Sequence, residues 1–522
     1  MAEAGADLAA LEAEIARLRA SLRYRAADIL VEGVRSPRAL VRVPARLARL
    51  VAEARRVRAW RRVVTAGECG LPDDPMRSMA PPARSASRRL VGGGADHPAA
   101  ARFAELEALT RTGGLLPPTP APVTLAAPGP IAYLAHAGLP DATNGYAQRT
   151  QAVAGTMRRL GADVTVLLRG GAPGETATVA GVPYRRIGPV PTALSYEDTA
   201  RTYAAAAASE ARAIGAAVVH AASNHLTGQA GGLAAATLGV PFVYEVRGLW
   251  EVTRLSTEPA YERAPGFAAQ RALEVGTARA ASAVFVNGEA LSELLATSGV
   301  PASRLHPAPN GYDTPDRLPT RDEREAARAR LGVPDGGGPV VGFAGSLTAY
   351  EGLDLVLRAV ARLRREGLFV RLLIVGDGPA RAGLEALADG LRLGGACRFT
   401  GPLPADVAAL AMRAADIAPV ARLPSAVGRL TPPLKPLEAM ANGAALIVSD
   451  LPPLAPLAAG GRGRVVRAGD EAALRDAIGA LGRDPAGRAE MAATAHAWVR
   501  TERSWDQIAR RVLAAYPFSD RP

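Results

Sequence analysis

Lysine occurs once in this chain: of 62 basic residues, all but Lys435 are arginine. It stands in Leu430-Thr-Pro-Pro-Leu-Lys-Pro-Leu-Glu-Ala-Met-Ala-Asn-Gly443, just before an apolar run at 444–448 that reads as a strand. Pro436 suits the first turn of a helix, where its missing N–H costs nothing. Lys435 then sits at the helix entrance, and Glu438 projects from the first turn. A nucleotide diphosphate placed there would meet an ammonium and free backbone N–H groups. A carboxylate one turn on can accept hydrogen bonds from ribose hydroxyls. The plainer readings are that Glu438 only complements the helix dipole and that Lys435 is a chance survivor. A single lysine at a helix entrance, in a chain that writes arginine everywhere else, favours a role in phosphate binding.

Glycine turns recur beside it. The loop from His136 to Arg149 contains Asn144-Gly-Tyr-Ala-Gln-Arg149 and joins a strand to a helix. Gly145 there lets backbone N–H groups approach a phosphate, and Asn144, Arg149 and His136 are candidates for the acceptor side. The later run Val341-Gly-Phe-Ala-Gly-Ser-Leu-Thr-Ala-Tyr-Glu-Gly-Leu-Asp354 puts Gly345 and Ser346 at a strand end. Val375-Gly-Asp-Gly-Pro379 adds Gly376 and Gly378, and Arg398-Phe-Thr-Gly-Pro402 adds Phe399 and Thr400. One such turn is weak evidence; several on the carboxyl side of strands in one cleft are more specific. His220 and His225 also fall at or past a strand end and are further candidates for lining the acceptor side. Core or loop histidines are the commoner outcome.

These turns need a scaffold. At 522 residues the chain is too long for one compact domain, and two or three are expected. Apolar runs at 131–136, 163–168, 217–220, 241–246 and 283–286 alternate with helical stretches, beginning with 144–160. The alternation restarts after a charged helix at 321–331, with strands at 339–344, 370–375, 397–400, 417–420 and 444–448. Strand–helix alternation predicts α/β architecture: two doubly wound Rossmann-like domains facing a cleft, with ligands at the carboxyl ends of the strands. The expected boundaries are 131–318 and 319–500, with a final helix at 501–522. A Pro/Gly-rich linker at 113–130 precedes them. Residues 1–112 read as a basic helical extension. Leu8, Leu11, Ile15, Leu18 and Leu22 lie on one helix seam, which suits a short coiled coil or a helical hairpin. From Arg35 to Arg62 arginines alternate with apolar residues, a pattern that suits an anionic membrane surface or a coiled-coil partner through 1–62. A helix with a solvated basic face is the plainer reading.

Composition excludes other classes. The net charge is +12, but no basic patch is interleaved with aromatics, so no nucleic acid is expected as a partner. Cys69 and Cys397 lie far apart, and the six histidines lack ligand spacing, so neither a disulfide framework nor a metal is expected. No Asp-X-Asp metal motif stands out, and no cofactor is expected. With no basic-then-apolar N-terminus and no run of about 18 apolar residues, the expected location is cytoplasmic, peripheral at the inner face of the plasma membrane.

Taken together, these motifs resemble glycosyltransferase family 4, with the two-Rossmann-domain glycosyltransferase-B fold and a TPLKPLEAMA-like donor motif. Tyr244-Glu-Val-Arg-Gly-Leu-Trp-Glu251 and Pro309-Asn-Gly-Tyr-Asp313 complete the match, which spans about 131–505. The resemblance implies transfer of a sugar from a nucleotide-diphosphate sugar to a glycan or lipid-linked acceptor. It implies retention of configuration, no metal, same-face attack, and a leaving phosphate that helps accept the acceptor's proton. The donor lies on the C-terminal domain: Gly145 approaches the diphosphate, Phe399 lies near the base, and Glu438 meets the ribose. The final helices cross back to the N-terminal domain.

The chain departs from the family at several places. The first glutamate of its two-glutamate motif is replaced by Leu430. Its phosphate-binding arginine and lysine fall at Ser346 and Glu351, and a first-domain histidine falls at Arg247. Lys435, Arg247, Arg422 and Arg429 are the candidate replacements. The expected arrangement has Lys435 and Arg247 neutralising the leaving diphosphate from opposite walls; the plainer reading pairs Arg247 with Glu245 and Glu251 as scaffold. A second reading of the whole, motivated by these departures, is a catalytically silent glycosyltransferase-like scaffold or a membrane- or partner-binding protein.

Overall fold

A computed structural model describes residues 98–117, 128–142, 144–190, 195–256, 258–333 and 336–517. The expected seam and arginine-rich stretch of 1–62, Cys69 and most of the linker lie outside the described residues. Residues 98–111 and 260–269 group apart from the rest, and include the greater part of the helix Pro98–Thr112. Thr112–Pro259 together with Gln270–Pro522 forms one unit, which holds two sheets.

The first sheet has eight strands: β1 (Ile131–Ala135), β2 (Val164–Leu168), β3 (Thr176–Val179), β4 (Val182–Arg186), β5 (Val218–Ala222), β6 (Phe242–Val246), β7 (Ala283–Val286) and β8 (Leu305–Pro307). Their order is β3-β4-β2-β1-β5-β6-β7-β8. All pairings are parallel except β3–β4. The second sheet holds β9 (Val340–Ala344), β10 (Arg371–Val375), β11 (Cys397–Gly401), β12 (Ile417–Val420), β13 (Ala445–Ser449) and β14 (Gly463–Val466). Its order is β11-β10-β9-β12-β13-β14, parallel throughout. β1, β5, β6, β7, β10, β12 and β13 are buried along their whole length. Continuous apolar runs are what a sheet covered on both faces requires. The strands that sequence pattern missed are β3, β4, β8 and β14. β3 is polar and mostly exposed, and β8 and β14 are short edge strands. Apolar periodicity carries little signal in such elements.

Capping side chains start the helices. Asn144, Ser195, Asn224, Asp470 and Ser504 each accept a backbone N–H, and Thr320 with Glu323 forms a capping box. One apolar cluster covers each face of each sheet. The helix Trp505–Ala514 belongs to the core of the first sheet: Trp505, Ile508 and Val512 pack with Ile131, Val164 and Phe285. Tyr516 adds a 2.6 Å hydrogen bond to His220 Nδ1. The chain end thus crosses from the second sheet back onto the first.

Candidate functional site

The segment 431–435 is where loops from the two sheets meet. Asn310 Nδ2 donates to the Pro432 carbonyl at 2.9 Å. A β-carbon at Gly145 would lie 3.7 Å from Leu434, and one at Gly248 3.5 Å from Thr431 Oγ1. At Gly288 it would press on Pro432 at 2.8 Å. The loops after β1, β6, β7 and β8 therefore converge on the residues leading into the helix Lys435–Ala441.

Lys435 is folded against the turn after β9. Gly345 has φ +133°, and a β-carbon there would strike the lysine stem 2.6 Å from Cε. The ammonium lies 5.1 Å from the Phe343 ring centroid and donates to Glu351 Oε1 at 2.9 Å. Arg422 Nη2 donates to the same oxygen at 3.0 Å, and its Nη1 to the Thr431 carbonyl at 2.8 Å. Burial pushes the Glu351 carboxyl up, but Lys435 and Arg422 overcome it and hold it below the usual range. Burial lowers Lys435 in turn, and Glu351 opposes that fall. Glu351 is the site residue whose role the sequence reading missed. Glutamate at the place of an expected lysine was the signal, and its partner lies 84 positions away.

Glu438 is one turn along. Its carboxyl has no hydrogen-bond partner among the described residues, and burial pushes it up to about 7 against the pull of Lys435. The other glycines expected on the donor side have a structural reason to be there. Gly345 donates to the Val375 carbonyl and Leu347 to that of Asp377. A β-carbon at Gly376 would lie 2.0 Å from the Gly345 oxygen, and one at Gly378 2.5 Å from the Leu347 oxygen. The two turns stack backbone on backbone. Ser346 is exposed at the tip. Phe399 is half-buried against the core behind β10, and Thr400 Oγ1 donates to the Gly401 carbonyl.

Arg247 does not face Lys435 as a second wall. It is buried, with Nη2 2.8 Å from Glu245 Oε2 and 2.5 Å from the Tyr133 hydroxyl. Nη1 donates to Thr150 Oγ1 and the Tyr146 carbonyl, and the Tyr146 ring lies over the guanidinium at 4.4 Å. Successive residues on a strand alternate faces, so Glu245 and its second neighbour Arg247 share one. Arg149 reaches the other Glu245 oxygen at 2.6 Å and also holds Ala308, Pro309 and Asn310. It braces the crossover rather than lining open space. Glu251 pairs with Arg271 instead, at 2.6 Å. Asn144 spends its Oδ1 on the Ala147 N–H. Arg422 is buried in the Glu351 pair, whereas Arg429 is exposed.

His136 and His225, expected on the acceptor side, meet at one aromatic wall. His136 packs against Tyr146 at 4.0 Å with the rings tilted by 56°, and lies edge-on to Trp250 at 5.4 Å. His225 bonds the Tyr196 hydroxyl through Nδ1 at 3.0 Å and lies 6.5 Å from Trp250. Burial lowers both to about 4, helped at His136 by Arg247 and Arg169, so both rings are neutral at pH 7. His136 Nδ1 and His225 Nε2 are buried without a hydrogen-bond partner, while Trp250 is 46 % exposed. His220 lies in the core, not on this wall. Among the described residues no group of three or more His, Cys, Asp or Glu is placed to hold a metal.

Comparison with known proteins agrees with this layout. Residues 338–484 match the family model described as glycosyl transferases group 1, and 144–311 match that of the glycosyl transferase 4-like domain. A D-inositol 3-phosphate glycosyltransferase from Xylanimonas cellulosilytica is 30% identical over 302 residues, 56% of this chain and 69% of that protein. One from Nocardia farcinica is 32% identical over 239 residues, 44% of this chain and 50% of that protein. A 2-deoxystreptamine glucosyltransferase from Streptomyces kanamyceticus is 34% identical over 202 residues, 37% of this chain and 51% of that protein. The chain thus spans about half the length of the last two. Among solved structures, sucrose-phosphate synthase from Thermosynechococcus elongatus superimposes with TM-score 0.61 at 21% identity, covering 73% of this chain and 97% of that one. The Anabaena protein HepE in complex with UDP gives 0.58 at 18% identity, covering 74% and 98%. Two parallel sheets meeting at 431–435, with these sequence matches across both, make this chain a member of the group 1, family 4-like glycosyltransferases with the glycosyltransferase-B fold.

Proposed function

We propose that this protein moves a sugar from a nucleotide-diphosphate sugar to a hydroxyl of a glycan or lipid-linked acceptor, with retained configuration and without a metal. The observation that carries the reading is Lys435, held at the meeting point of both sheets' loops with its ammonium against the Gly345 turn. There it faces the diphosphate, and it stabilises the charge that develops on the leaving phosphate. Gly145 and Gly345 let the backbone approach that diphosphate. Glu438 accepts the ribose hydroxyls, and the Phe399–Thr400 turn lies near the base. Arg247 and Arg149 are assigned to the scaffold, because their charges are met by Glu245. The acceptor lies on the His136–Trp250–His225 wall, where an exposed indole offers a stacking face and two neutral imidazoles offer unpartnered nitrogens. The two-wall cation clamp is replaced by Lys435 on one wall.

Purified protein incubated with a panel of uridine, guanosine, adenosine and thymidine diphosphate sugars is expected to release nucleoside diphosphate from at least one. No release and no nucleotide binding across the panel would reject the enzyme in favour of the silent scaffold. Among the described residues no helix is long and apolar enough to cross a membrane. We assign residues 1–62 to an anionic membrane surface at the inner face of the plasma membrane. Flotation with anionic liposomes is expected to be lost on deleting 1–112, and equal flotation rejects the assignment.

Glu438 gives the reading a pH signature. Its carboxyl is raised to about 7 by burial, so it ionises across neutrality. Nucleotide-sugar affinity is expected to rise with pH through about 7, as the carboxylate forms. In Glu438→Gln it is expected to be pH-independent there and at least about tenfold weaker, the loss of a hydrogen bond to a charged group. Calorimetry from pH 5.5 to 8.5 checks both. The folded value lies above the unfolded 4.5, so this group's contribution to stability is fully present below 4.5 and is lost as pH rises through about 7.

A further inference from the structure

Glu351 is 1% exposed and accepts from two cations through one oxygen, Oε1. Its other oxygen, Oε2, is buried with no hydrogen-bond partner. A buried carboxylate with half its acceptors unused is poorly explained as a simple stabilising pair, since its desolvation is incompletely offset. What the arrangement does achieve is geometric. Arg422 comes from the end of β12 and Lys435 from the entrance of the helix Lys435–Ala441, and Glu351 fixes both cationic groups at one point. Arg422 is further locked by the Thr431 carbonyl and by the Tyr350 ring at 5.4 Å. The ammonium has three donors and spends one on Glu351. The lysine side chain remains 19% exposed, lying over Phe343 at the Gly345 turn. Two cations and one anion leave one net positive charge, presented by Lys435.

We propose that Glu351 is a positioning residue for the donor diphosphate: it holds the Lys435 ammonium protonated and aimed past Gly345, against the repulsion of Arg422. The proposal rests on the donor site described above and assigns a role to a residue that reading leaves idle. Without the carboxylate, an ammonium buried beside a guanidinium loses its proton more readily, because burial and like charge both disfavour it. The charged groups facing Lys435 are Glu351, Arg422 and, on its own helix, Glu438; Phe343 is uncharged. Above pH 8 Glu438 is already ionised, so a change there reports on Lys435.

The test is donor kcat/KM from pH 8 to 9.5 for wild type, Glu351→Gln, Lys435→Met and the double variant. Turnover by wild type is the control, and its absence with every donor overturns the functional reading and this proposal with it. Given turnover, kcat/KM of Glu351→Gln is expected to fall more steeply with rising pH than that of wild type, by at least about threefold across this range, because losing the carboxylate lowers the lysine further. Glu351→Asp, which keeps the charge, is expected to restore the wild-type profile. In the Lys435→Met background, adding Glu351→Gln is expected to change kcat/KM by less than about threefold, because the group it acts through is gone. A loss in Glu351→Gln that is equal at every pH, or effects that multiply in the double variant, overturns the positioning role while leaving the functional reading standing. Should Glu351→Gln fail to fold, Lys435→Met against the double variant decides the same point, since that pair is removed together.

Discussion

Lys435→Ala is expected to lower donor kcat/KM by about 10²–10³, the effect of deleting one preorganised donor to a developing charge. Steady-state release of nucleoside diphosphate measures it. The lysine is the cation whose side chain lies against the Gly345 turn, whereas Arg422 is engaged by Glu351 and Thr431, and Arg247 by Glu245. Removing it also leaves Glu351 facing Arg422 alone. Lys435→Arg is the sharper variant. A planar guanidinium is larger than an ammonium, and the lysine stem already fills the space a β-carbon at Gly345 would need. Arginine is therefore expected to recover less than a tenth of wild-type kcat/KM, although it keeps the charge. Wild-type turnover in Lys435→Ala would remove the residue from the reaction altogether.

The second large effect is on stability. Glu245→Gln is expected to destabilise the first sheet by roughly 3–5 kcal/mol, because it leaves two buried arginines without their counter-charge. Glu245 is 2% exposed and holds Arg149 at 2.6 Å, Arg247 at 2.8 Å and the Tyr133 hydroxyl at 2.5 Å. Urea unfolding followed by the tyrosine and tryptophan signals measures the loss. Burial pushes the Glu245 carboxyl up, but Arg247 and then Arg149 overcome it and hold it well below 4.5. A carboxyl depressed in this way contributes stability that is present above its unfolded value, 4.5, and is lost as pH falls through the folded one. The difference between wild type and Glu245→Gln is therefore expected to be largest near neutrality and to shrink under acid. A constant difference from pH 7 to pH 2 would show that packing, not charge, holds this centre together.

Local pattern was enough for the strands and helices that frame the cleft. β1 and β7 are continuous apolar runs, and the helix Arg321–Leu331 begins at a Thr320–Glu323 capping box. Those signals act within a few residues, where propensity and periodicity decide. The glycine turns and the Lys435–Glu438 block were legible for the same reason, and so was the family they resemble. The pairing of charges was not. Glu351 faces Lys435 84 positions away, and Arg149 reaches Glu245 across 96. Which cation a buried carboxylate meets depends on strand order and on how loops from two sheets converge, and no local pattern encodes that. So the sequence by itself determined the architecture, the helix entrance and its lone lysine. Tertiary structure alone decided that Arg247 turns inward to Glu245, and that Lys435 stands at the Gly345 turn with Glu351 behind it. The physical reason is that desolvation penalises a buried charge left without a partner, and only the folded chain supplies the neighbours.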